Sequence, residues 1–219
     1  MTFFNKIANE YDSWYETPLG NLVDAIESEC GLSLLEEGLG EKYLDAGCGT
    51  GHFTQKLINR GLKVVGIDIS DQMLMIAKNK VKDAEFKEMN FYDLTFEDDS
   101  FDGIFSMTAF EFVKEPKKAL DELFRVLKPG GELIVGTINP KSPWGKMYQS
   151  KAYEMSIFKH AVFHSMDELT KYYPNMVTAA KECLFIPPGI DIDELHKSSE
   201  KKYKETNAAG FYFIKWIKK

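Results

Sequence analysis

Tyr43-Leu44-Asp45-Ala46-Gly47-Cys48-Gly49-Thr50-Gly51 is the stretch on which the reading of this chain turns. A short apolar strand runs into an acid, glycines follow at every second position, and a helical pattern begins at once. Such a turn lets a small ligand lie directly against the backbone. A Cβ would block that approach, and glycine alone adopts φ > 0 at little cost. The helix that follows directs its free N–H groups at the same spot.

The spacing narrows the ligand. A dinucleotide fingerprint reads G-x-G-x-x-G, with its helix N-terminus cradling a pyrophosphate. Here the run is D-x-G-x-G-x-G, and His52 stands where the third glycine of that fingerprint belongs. Lys63-Val64-Val65-Gly66-Ile67-Asp68 reads as a second strand ending in an acid, placed where a carboxylate accepts both hydroxyls of a ribose. The pattern points to an adenosine-type ligand without a pyrophosphate.

Three further segments follow: Phe96-Glu97-Asp98-Asp99-Ser100-Phe101-Asp102, Ala109-Phe110-Glu111-Phe112-Val113 and Arg125-Val126-Leu127-Lys128-Pro129-Gly130-Gly131. In this order and spacing, over roughly residues 40–139, the set resembles the class I S-adenosylmethionine-dependent methyltransferases. It looks most like their small-molecule "type 11" and quinone-biosynthesis members. The resemblance implies an α/β fold: a doubly wound, Rossmann-like seven-stranded sheet with an antiparallel last strand, N-terminal helices and a helical lid insertion. It implies S-adenosylmethionine as cofactor, S-adenosylhomocysteine as product and a small-molecule acceptor. Two other readings stay open. One is a quinone-type enzyme acting on a membrane-dissolved acceptor; the other is a non-catalytic binding partner that keeps the cofactor site.

Composition sets outer bounds. A chain of 219 residues with 44% hydrophobic content suits one α/β domain with an elaboration. The expected division is 1–40 N-terminal helices, 41–139 cofactor-binding core, 140–181 lid and 182–219 closing strands. Cys30, Cys48 and Cys183 show neither paired spacing nor a metal-type cluster, which fits a reducing cytoplasm and no metal. A net charge of −7 disfavours a nucleic-acid partner. No signal peptide or membrane span is legible, so no stable membrane insertion is expected. Monomer and homodimer are equally open.

Periodicity places helices at Ile7–Tyr15, Asn21–Leu35, Phe53–Asn59, Asp71–Lys80 and Pro116–Leu127. It places strands at Tyr43–Asp45, Lys63–Asp68, Glu85–Met89, Phe101–Met107 and Glu132–Ile138, then near Glu182–Ile186 and Gly210–Ile217. Residues 140–179 break the alternation, and Ser165-Met166-Asp167-Glu168 reads there as a capping box.

Candidate site residues follow from the resemblance. Gly47, Cys48, Gly49 and Gly51 would pass under the methionine part of the cofactor, and Asp45 would reach its amino group. Asp68 would hold the ribose, with Ile69 and Met73 flanking the adenine, although Met73 reads equally as a core residue. The family's adenine acid falls on Asn90, with Phe91 next to it; Asp93 is the alternative. Tyr11, in Ala8-Asn9-Glu10-Tyr11-Asp12, either closes over the cofactor or packs a helix. Methyl transfer asks mainly for alignment, with a general base only for acceptors of high pKa. Glu111 and His164 are the candidates for that catalytic role. The stripe Trp144, Met147, Tyr148, Tyr153, Met155, Phe158 and Phe163 reads as an apolar acceptor pocket or as the lid's own core. The lysines between Lys197 and Lys219 read as a solvated face.

Overall fold

The computed structural model describes residues 3–36 and 41–219. The boundary expected between 1–40 and 41–139 falls on residues outside those described.

Seven strands form one sheet in the order β3-β2-β1-β4-β5-β7-β6. β1 (Lys42–Ala46) lies parallel between β2 (Lys63–Asp68) and β4 (Phe101–Met107); β3 (Glu85–Glu88) flanks β2 and β5 (Leu127–Ile138) flanks β4. β7 (Phe211–Ile217) runs antiparallel between β5 and β6 (Val177–Cys183). The central strands are continuous apolar runs because helices cover both faces. Leu44, paired with Val65 on one side and Ile104 on the other, is fully buried. One face packs Ile104, Leu120, Leu123 and Trp216 together; the other packs Ile26, Leu57, Phe105 and Phe213.

The helices begin where chain chemistry allows. α1 (Ala8–Tyr11) and α2 (Ser13–Glu16) are single turns, so the expected continuous helix Ile7–Tyr15 is broken near Asp12. α3 (Pro18–Leu32) starts three residues before the expected Asn21: Thr17 caps it, accepting the Gly20 N–H at 3.0 Å, and Pro18 occupies the first turn. Gly20 sits inside this helix, at a point where a Cβ would lie 1.9 Å from the Trp14 carbonyl oxygen. α4 (His52–Ile58), α5 (Asp71–Lys80) and α6 (Pro116–Val126) fall within one or two residues of expectation.

The lid differs more. In place of long helices it is a chain of short turns: α7 (Pro143–Tyr148), 3-10 turns at Lys151–Tyr153 and Ile157–His160, and the four-residue α8 (Met166–Leu169). The capping box at Ser165 and Glu168 is formed. β6 begins at Val177, five residues before the expected Glu182. Its segment Thr178-Ala179-Ala180-Lys181 carries little apolar signal, and pairing with β7 decides it. Leu184 turns into positive φ and ends the strand.

At the end of the sheet remote from the glycine turn, Gly103 leaves room for the Tyr43 ring, which a Cβ would approach to 2.2 Å. The Tyr43 hydroxyl donates to Glu132 Oε1 at 2.6 Å, and Glu132 pairs with Lys215 at 2.6 Å, both side chains almost wholly buried. Lys215 therefore departs from the solvated face expected of the C-terminal lysines. Among the described residues no helix is long and apolar enough to cross a membrane.

Candidate active site

Strand order reverses between β1 and β4, so the loops leaving their carboxyl ends diverge and open a crevice. A cavity lies there, walled by the turns after four successive strands: Asp45 to Thr50, Asp68 and Ile69, Met89 to Tyr92, and Met107 to Ala109. Of the predicted cofactor residues, Tyr11, Asp45, Gly47, Cys48, Gly49, Asp68, Ile69, Met73, Asn90 and Phe91 line it. Gly51, Glu111, His164 and Asp93 do not.

Each glycine of the turn has its own reason. Gly47 sits at φ +80°, and a Cβ there would come within 2.4 Å of the Ala109 methyl. The loops after β1 and β4 meet at that point. Gly49, at φ +52°, would carry its Cβ into open space, which leaves a cradle for a ligand against bare backbone. Gly51, at φ +77°, faces Ala77, Val81 and Phe86 in the packing beneath α5, and its N–H is held by the Cys48 carbonyl at 2.9 Å. Its place is in helix–sheet packing, away from the cavity wall. Gly51→Ala is therefore expected to cost roughly 1–3 kcal/mol of stability from backbone strain, while donor affinity stays within about twofold. Gly47→Ala should cost both stability and at least tenfold in donor affinity. Chemical denaturation beside calorimetric titration separates the two.

Asp68 ends β2 and is clamped across the glycine turn. Its Oδ2 accepts the Gly49 N–H at 2.9 Å and its Oδ1 the Ser70 N–H at 2.8 Å. Burial raises its pKa, opposed by backbone N–H groups of Ser70, Gly49 and Ile69. Asp45 is 1% exposed and accepts the Thr54 hydroxyl at 2.6 Å. Burial pushes its carboxyl up to about 7. Burial also raises the Cys48 thiol, with Asp45 and Asp68 adding to the effect, so thiolate chemistry is disfavoured there. Asn90 Oδ1 accepts the Tyr92 N–H at 3.1 Å, a local turn that presents Phe91 to the cavity. Ile69 is 44% exposed at the rim, whereas Met73, 2% exposed, serves both core and wall.

The N-terminal segment closes one side and is fastened in two places. Asp12 accepts the Thr50 hydroxyl at 2.6 Å and pairs with Lys80 at 2.6 Å. Asn5 accepts the Ser70 hydroxyl at 2.6 Å and donates to Asp71 at 2.7 Å. Tyr11 is thereby held over the crevice; burial, with Glu111 and Asp68 nearby, pushes its phenol up to about 12.

The two predicted catalytic residues sit elsewhere. Glu111 is fully buried; its Oε1 accepts the Ile138 N–H at 2.8 Å, and its backbone carbonyl receives the Val162 N–H. His164 Nε2 lies 2.9 Å from the Val113 carbonyl, and the Tyr212 hydroxyl donates to the His164 carbonyl at 2.7 Å. Both residues fasten the lid to the loop after β4. Neither side chain lines either cavity.

A second cavity of about 590 Å³ opens between α1–α3 and the lid. Trp144, Met147, Tyr148, Tyr153 and Phe158 of the aromatic stripe line it, whereas Met155 is 96% exposed and Phe163 packs behind Phe158. Tyr11, Tyr15, Asp24, Glu27 and Thr108 line both cavities, so the two lie side by side. The carboxylates of α3 were not singled out in the sequence. Their one signal there is the Asp24/Glu27 spacing, which places both on one helix face.

The profile of a family described as "Methyltransferase domain" matches residues 44–135. An uncharacterised protein of Methanocaldococcus jannaschii is 35% identical over 77% of this chain and 77% of its own length. A Thermotoga maritima S-adenosylmethionine-dependent methyltransferase, described as a possible histamine N-methyltransferase, superposes with a TM-score of 0.78 at 27% identity over 99% of this chain and 98% of that one. The chain belongs to the S-adenosylmethionine-dependent methyltransferases. This methyltransferase accordingly takes S-adenosylmethionine as its cofactor, and the Gly49 cradle beside Asp68 fits an adenosyl group laid on backbone. A demethylmenaquinone methyltransferase of Tropheryma whipplei is 38% identical over 60% of this chain, which spans only 56% of that enzyme's length.

Proposed function

We propose that this methyltransferase acts on a small-molecule acceptor seated in the second cavity. The observation that carries this reading is the adjacency of the two cavities, which share Tyr11, Tyr15, Asp24, Glu27 and Thr108. The cofactor supplies a methyl group on a positively charged sulfur, electrophilic without further activation. The chain's own contribution is placement. Asp68 would accept the ribose hydroxyls through lone pairs its two N–H bonds leave free. Asp45 would take the amino end, and Asn90 with Phe91 would meet the adenine. Tyr11, between the cavities, would set the direction from which an acceptor approaches and keep water out. Such alignment favours in-line displacement, and well-oriented reactants gain many orders of magnitude in rate. The 219 residues act in this reading as one domain.

The aromatic walls of the second cavity, together with the similarity to demethylmenaquinone methyltransferases, favour a second reading, a quinone-type acceptor drawn from a membrane surface. Calorimetric titration with S-adenosylmethionine and S-adenosylhomocysteine tests the donor half, with micromolar binding of both expected. S-adenosylhomocysteine release across an acceptor panel, with and without lipid vesicles, tests the acceptor half. Binding without turnover of any acceptor would leave a binding protein and sink the catalytic reading.

A further inference from the structure

We infer that the second cavity selects an acceptor carrying a protonated amine on an apolar or aromatic body, and that Glu27 is the group that receives it. The inference rests on the methyl-transfer reading and specifies its acceptor.

Asp24 and Glu27 lie one turn apart on α3 and both line the two neighbouring cavities. Their situations differ. Asp24 is satisfied: Lys56 Nζ stands 2.6 Å from its Oδ2 and His52 Nε2 stands 3.0 Å from its Oδ1. Burial opposes its charge, but these hydrogen bonds outweigh the opposition and hold its pKa below the ordinary value. Glu27 has no hydrogen bond or ion pair among the described residues. Burial, then the Asp24 and Glu111 carboxylates, push its carboxyl well above the ordinary range against the pull of Lys56. Glu27 is half-buried on the cavity wall, so its carboxylate is partly stripped of water and gains from a partner that brings positive charge.

The walls around Glu27 say what that partner is. Trp14, Tyr11, Tyr15 and Tyr148 line the same cavity, and aromatic faces attract cations. Among the described residues neither cavity is lined by Lys or Arg, and Lys56 is already engaged by Asp24. An anionic acceptor would meet Asp24 and Glu27 with nothing to neutralise it. A neutral quinol or alcohol would fill the apolar space but leave Glu27 without a counter-charge. An ammonium group satisfies the carboxylate and the aromatic faces together.

The test uses the full chain loaded with S-adenosylhomocysteine and three probes of one shape: 2-phenylethylamine, 2-phenylethanol and 3-phenylpropanoate. Calorimetry at neutral pH is expected to show the amine binding at least tenfold more tightly than the alcohol, and the carboxylate more weakly still. Glu27→Gln is expected to abolish that preference while S-adenosylhomocysteine affinity stays within about threefold and the melting temperature does not fall. An amine that binds no better than the alcohol overturns the inference, as does a preference that survives Glu27→Gln. The wild-type comparison stands even if the variant folds poorly. Intact S-adenosylhomocysteine binding with no amine preference leaves methyl transfer standing and removes only the acceptor class. No S-adenosylhomocysteine binding removes both.

Discussion

Asp68→Ala is expected to weaken binding of S-adenosylmethionine and S-adenosylhomocysteine by about tenfold to a hundredfold, measured by calorimetric titration. Charge-assisted hydrogen bonds contribute roughly 1.5–3 kcal/mol, and each 1.4 kcal/mol is about tenfold in affinity. The geometry adds a second loss. Asp68 ties Gly49 and Ser70 together, so the substitution also frees the turn that shapes the cradle. Asp68→Asn separates the two effects. Its amide oxygen can still accept one backbone N–H, so the turn should be held better, while the charged contact to the ribose is gone. Affinity in the asparagine variant should therefore fall between wild type and alanine. An unchanged dissociation constant in Asp68→Ala would remove the ribose assignment.

The second large effect concerns stability and carries a definite sign with pH. Asp45 has an ordinary pKa of 3.8 and is held near 7 by burial, with the Thr54 hydroxyl opposing and Asp68 assisting. The folded chain thus keeps a proton on Asp45 that the unfolded chain releases between those values. Stability therefore falls as pH rises from about 4 to about 7, and the loss is complete above that window. The interval corresponds to roughly 4 kcal/mol. Asp45→Asn is expected to make the ligand-free protein more stable by about 2–4 kcal/mol at pH 8 and by almost nothing near pH 4, read from urea unfolding curves. The amide oxygen can still accept the Thr54 hydroxyl, so packing is retained. The same variant should lose donor affinity at least tenfold, since the carboxylate is the partner proposed for the amino group. Stability is thus sacrificed to the site. A stability difference that did not change with pH would mean that burial of this charge is not the cause.

The residues that touch backbone were legible in advance; those that face each other across the fold were not. Gly47 and Gly49 could be placed because a strand, a tight turn and a helix start leave few options for the chain between them. Asp68 followed from the end of the next strand. Gly51 looked the same in sequence, yet its direction depends on where α5 packs, and it faces Ala77 and Val81. Glu111 and His164 were chosen for their chemistry. Their burial, and their hydrogen bonds to Ile138 and Val113, arise from contacts with residues 27 and 51 positions away. Asp24 and Glu27 lie on a helix whose polar positions look solvent-facing until the lid is folded over them.

The sequence by itself determined the α/β alternation and the strand–glycine–helix cradle, because these rest on local backbone geometry repeated in order along the chain. The same ordered motifs carried the family resemblance that implies the methyl donor. Only the tertiary structure decided the break in the first helix, the early start of β6 and the burial of Lys215 against Glu132. It alone decided the side-by-side placing of the two cavities and the lack of a partner for Glu27 beside a satisfied Asp24. Each of these depends on which distant side chain supplies or withholds a partner, and residue spacing does not encode that choice.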